Sequence, residues 1–87
     1  MNHHHRTTLH ALFAHPVSAN IDIKKVIHVF EELGAEIDNA AGNRVKIKLN
    51  GHVANFTHAQ HSLSKDEVVE LRKFLEECGV TPAQYPL

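Results

Sequence analysis

The sequence predicts an α+β protein, a two-layer sandwich in which two amphipathic helices cover one face of a three-stranded antiparallel sheet. Three observations predict it. The run Arg44-Val45-Lys46-Ile47-Lys48-Leu49 alternates basic and apolar residues with the period of a strand. Asn50-Gly51 follows at once, a pair suited to a type I′ hairpin turn because both positions need positive φ. Two further stretches, one before the strands and one after, place apolar residues three and four apart, the spacing of a helix with one buried side.

Taken in order, residues 1–6 are expected to be flexible, and three neighbouring histidines, His3 to His5, do not make a closed metal site. Thr7 to Ala14 reads as a short helix carrying Leu9, Leu12 and Phe13. His15-Pro16 ends it, since the residue before proline is pushed out of the helical region. Pro16 to Asn20 connects. Asp22 to Leu33 is the first main helix. Asp22 is its N-cap, Ile23, Val26, Ile27, Phe30 and Leu33 its apolar stripe, and Gly34 its left-handed stop. His28 falls on the flank.

Ala35 to Asp38 reads as the first strand and Asn39 to Asn43 as a turn. Arg44 to Leu49 and His52 to Thr57 are the second and third strands. A two-residue turn sets their register, placing Leu49, Ile47 and Val45 opposite His52, Ala54 and Phe56 on the apolar face. Lys48, Lys46 and Arg44 then stand opposite Val53, Asn55 and Thr57 on the other. Residues 58–63 form a polar loop. Ser64-Lys65-Asp66-Glu67 is a capping box that starts the second main helix. That helix runs to Cys78 on Val68, Leu71 and Leu75, with Phe74 beside the stripe. Gly79 closes it, and the tail from Thr81 is expected to be loosely held.

The 87 residues make one domain, 1–87, with an ordered core at about 19–82. An apolar fraction of 43% and a charged fraction of 22% fit a globular chain. A net charge of −1 excludes an indiscriminate nucleic-acid binder, so any such role rests on local asymmetry. The asymmetry is present. Asn39 to Lys65 contains no acidic residue, yet carries Arg44, Lys46, Lys48 and Lys65 with His52, His58 and His61. One cysteine, Cys78, excludes an internal disulfide and reads as a small buried hydrophobe. No apolar run approaches the roughly 18 residues of a membrane span, and no signal-peptide core is present. A cytoplasmic location without membrane contact is expected.

Four pieces of this chain resemble the HicA-type toxins, which are mRNA interferases with a fold like a double-stranded-RNA-binding domain. They are Phe30-Glu31-Glu32-Leu33-Gly34-Ala35-Glu36, Gly42-Asn43-Arg44-Val45-Lys46-Ile47, Phe56-Thr57-His58-Ala59-Gln60-His61, and the helix from Val69 to Val80. The resemblance covers about Ala19 to Pro82. It implies a metal-independent endoribonuclease acting on mRNA, with no cofactor, held in check by a HicB-type antitoxin protein. One departure is plain. Typical members read Gly-Ser-His where this chain reads Gly42-Asn43-Arg44, so the family's catalytic histidine is replaced by Arg44.

RNA cleavage without metal needs a base, an acid and a cation for the phosphoryl charge. Histidine serves as either proton carrier near neutrality. His58 and His61 are therefore the candidate catalytic pair, and Arg44, Lys46 and Lys48 the candidate phosphate-binding row. A noncatalytic RNA-binding module and a protein-interaction module of the same fold stay open. So does a bland reading of the lysines as guards against edge-to-edge sheet pairing.

Overall fold

The computed structural model describes residues 1–41, 44–57 and 62–87. It is an α+β structure of three α-helices and a three-stranded antiparallel sheet, with a second, two-stranded ladder and a C-terminal 3-10 turn. In chain order the elements are α1 (His3–Leu12), β1 (Ile21–Asp22), α2 (Ile23–Glu32), β2 (Glu36–Ala41), β3 (Arg44–Leu49), β4 (His52–Thr57), β5 (Ser62–Leu63) and α3 (Lys65–Glu77).

The hairpin β3–β4 has the register that the turn dictates, from Leu49↔His52 to Arg44↔Thr57. Asn50 (φ 51°) and Gly51 (φ 81°) both take the left-handed conformation the turn requires. Along β3 burial alternates without a break, Val45, Ile47 and Leu49 inward and the three basic residues outward. The inward row joins α2 and α3 in one core around Phe30, Ile47, Leu71 and Leu75.

Phe74, read as flanking, is a core residue. Its ring lies 6.1 Å from Phe30 and 5.8 Å from Phe56, joining both main helices to the sheet. Both helices start as expected. Asp22 accepts from Lys24 N–H, and Ser64 and Glu67 form the reciprocal capping box. The ladder Ile21↔Leu63 and Asp22↔Ser62 joins the segments that lead into these two helices. No local periodicity signals that ladder, because two residues are too few to show one.

Three boundaries differ from the sequence expectation. First, α1 begins at His3, not Thr7, because the Asn2 side chain caps it by accepting from His5 N–H at 2.8 Å. The first six residues, expected to be flexible, therefore include helix, and Leu9 and Leu12 are fully buried outside the expected core of 19–82. This helix packs chiefly on α2, with α3, β1 and the C-terminal turn as further neighbours.

Second, β2 runs on to Ala41, past the expected end at Asp38. Asp38 pairs with Lys46 and Ala41 with Arg44, so Asn39 and Ala40 stand against Val45 alone. That bulge takes up Asn39 and Ala40, the first two residues read as a turn, and adds twist beside Arg44; Gly42 and Asn43 of that turn lie outside the described residues. Third, the tail is tied down. Gln84 Nε2 donates to the Gly79 carbonyl at 2.9 Å, and His10 Nε2 lies 2.8 Å from the Tyr85 carbonyl. A carbonyl only accepts, so His10 carries its proton on Nε2.

Cys78 is buried as expected, and its thiol donates to the Leu49 carbonyl at 3.4 Å. Burial first, and the Glu77 carboxylate second, push its pKa up, which keeps it an inert thiol. Among the described residues no helix is long and apolar enough to cross a membrane.

Candidate nucleic-acid interface

The outward face of the three-stranded sheet is a grid of three cross-strand rows. One row is Glu36–Lys48–Val53, the next Asp38–Lys46–Asn55, and the last the pair Arg44–Thr57, with Ala41 as the β2 backbone partner of Arg44. Side chains on a strand alternate faces, so pairing on either side of β3 decides what surrounds each basic residue. Lys48 faces Glu36 and Lys46 faces Asp38. Arg44 faces no carboxylate on either neighbouring strand.

The basic row predicted on β3 is therefore flanked by carboxylates on β2. Glu36 and Asp38 lie just before the acid-free stretch, and β2 brings them beside the lysines. The signal was present in Glu36-Ile37-Asp38, a charged-apolar-charged triplet whose Ile37 belongs opposite Ile47. Matching the two isoleucines would have given the pairing.

The lysines and carboxylates form no ion pair within 4.0 Å. The pairs found among the described residues are His5–Glu32 and Arg72–Glu76. Exposed cross-strand charges of opposite sign still contribute about 0.2–1 kcal/mol, and they weaken the field the lysines project. The positive character of the face is therefore concentrated at Arg44. There Asp38, Arg44, Lys46, Asn55 and Thr57 line an open depression of ≈ 350 Å³.

Of the predicted site residues, the structure sets Arg44, Lys46 and Lys48 together on one exposed face. His58 and His61, the candidate catalytic pair, lie outside the described residues. The residues that bracket them are placed. Thr57 stands opposite Arg44 at the end of β4, and Ser62 stands opposite Asp22 in the small ladder. His52 is exposed beside the hairpin tip, and His28 is exposed on α2. Among the described residues no three of His, Cys, Asp and Glu are gathered as a metal site would require.

No protein-family model, no curated protein and no solved structure matches this chain.

Proposed function

We propose that the protein is a metal-independent endoribonuclease of the mRNA-interferase kind. It would be the toxin of a toxin-antitoxin pair, acting in the cytoplasm and held in check by a HicB-type antitoxin. Its fold in this reading is of the double-stranded-RNA-binding-domain type. The observation that supports it is Arg44. This is the outward β3 cation with no carboxylate across either ladder, and it faces Thr57, the residue from which the chain enters the segment carrying His58 and His61.

The chemistry assigns each group a task. Arg44, assisted by Lys46 and Lys48, binds the scissile phosphate. One of the two histidines takes the proton of the neighbouring 2′-hydroxyl as its oxygen attacks phosphorus. The other donates a proton to the departing 5′-oxygen. The products are a 2′,3′-cyclic phosphate and a free 5′-hydroxyl, and the guanidinium stabilises the extra phosphoryl charge in between. An antitoxin with carboxylates on its contact surface would mask the same face.

A second reading, a noncatalytic RNA- or protein-binding module, draws support from Glu36 and Asp38, which temper the basic row. The test is incubation of a long single-stranded RNA with the purified protein in excess chelator, beside the H58A/H61A double variant. Cleavage by the wild type alone is expected. Binding without cleavage by both would give the second reading the advantage.

A further inference from the structure

The strand order β2–β3–β4 makes β3 central, so its lysines guard no edge of the sheet. The two edges differ. On β2 the bulge and the pair Glu36 and Asp38 blunt the edge, as natural sheets do. On β4, His52-Val53-Ala54-Asn55-Phe56-Thr57 carries no carboxylate, lysine, arginine or proline, and its pairing to β3 has no irregularity.

The hairpin turn decides which β4 groups point outward. Leu49 and His52 flank a two-residue turn and form a hydrogen-bonded pair, and such pairs alternate along an antiparallel ladder. Ala54 and Phe56 therefore also bond to β3. Val53, Asn55 and Thr57 direct their backbone N–H and C=O away from the sheet. Among the described residues none of these groups has a backbone partner outside the sheet. Val53 is also 53% exposed on an otherwise polar face.

We propose that the β4 edge is a dimerisation surface, and that its occupant is the β4 strand of a second copy of this chain, running antiparallel about a two-fold axis at Asn55. Outward groups must meet outward groups, which places Asn55 opposite its own copy and Val53 opposite Thr57 of the other. That register supplies about six backbone hydrogen bonds and joins two sheets into one of six strands. The edge is compatible with its own copy in charge as well as in register. No charged side chain meets its copy, and the two Lys46 residues stand three strand spacings apart, about 14 Å, beyond the Debye length of about 8 Å. The β2 edge of a second copy is excluded as the occupant by its bulge. The two Arg44 depressions then open on one continuous face.

The experiment is sedimentation of the full chain from low-micromolar to near-millimolar concentration. Asn55→Pro removes one outward N–H and no bond to β3, so it is expected to give a folded monomer where the wild type dimerises. Asn55→Asp and Asn55→Lys each set like charges across the axis and should be monomeric alone, yet form a mixed dimer when combined. A wild type that stays monomeric at all concentrations, including one that captures only strands of other proteins, overturns the proposal. So does a dimer that all three substitutions leave unchanged. Circular dichroism of each variant separates loss of pairing from loss of fold.

Discussion

Asp38 stands directly across the β2–β3 ladder from Lys46, on the face that also carries Arg44. A carboxylate in that position lowers the attraction of the face for a polyanion. Replacing Asp38 and Glu36 by Asn and Gln should raise affinity for single-stranded RNA by roughly 2- to 10-fold. The salt dependence should steepen as well. Filter binding at two salt concentrations checks this, and unchanged affinity would remove RNA from the face.

Arg44 is exposed and has no carboxylate across the ladder, so its removal should cost function and not folding. Arg44→Ala is expected to weaken RNA binding about 10- to 100-fold, the worth of one charge-assisted hydrogen bond of about 1.5–3 kcal/mol. Arg44→Lys should recover part of it, because lysine keeps the charge and loses the planar fork. A thermal midpoint equal to that of the wild type would show the loss to be local.

Phe74 lies between Phe30 and Phe56 and is 5% exposed. Phe74→Ala should destabilise the fold by about 3–5 kcal/mol through lost burial and the cavity left behind. Against a typical total of about 5–15 kcal/mol, that leaves a marginal protein. Urea unfolding should show the fall in midpoint, with Phe74→Leu intermediate between alanine and wild type.

Glu32 ties α1 to α2, its Oε2 accepting from His5 Nδ1–H at 3.0 Å and its Oε1 from Asn2 N–H at 3.2 Å. Desolvation acts to raise its pKa. The hydrogen bonds from His5 and Asn2, with the positive charge of His5 and of the terminal amino group, outweigh it and hold the carboxyl below its ordinary value. A carboxyl lowered on folding stabilises the protein above its unfolded pKa, about 4.3, and loses that effect as pH falls through the lower folded value. The thermal midpoint of the wild type should therefore fall more steeply below about pH 4 than that of Glu32→Gln. Parallel curves for the two proteins would show that this contact does not stabilise the helix.

Much of this architecture is legible locally. Asp22 and the Ser64–Glu67 capping box mark helix starts, Gly34 and Gly79 mark helix ends, and Asn50-Gly51 fixes the β3–β4 register, because each depends on residues a few positions apart. The candidate site was half legible in the same way. Arg44, Lys46 and Lys48 follow from period two, whereas the carboxylates facing the lysines follow from a pairing that no turn of fixed length dictates. Asn2 was missed as a cap because the three histidines after it carry no apolar helical pattern.

By itself, then, the sequence determined the α+β class, the two main helices and the hairpin with its basic outward row, since period and turn chemistry act within the chain's nearest neighbours. Tertiary structure alone decided that β3 is central and β4 an uncharged edge, that Glu36 and Asp38 face Lys48 and Lys46, and that α1 and the C-terminal tail are bound through Glu32 and the Tyr85 carbonyl. Those contacts join residues distant in the chain. Their partners are selected by packing and by the closure of backbone hydrogen bonds, which local periodicity does not encode.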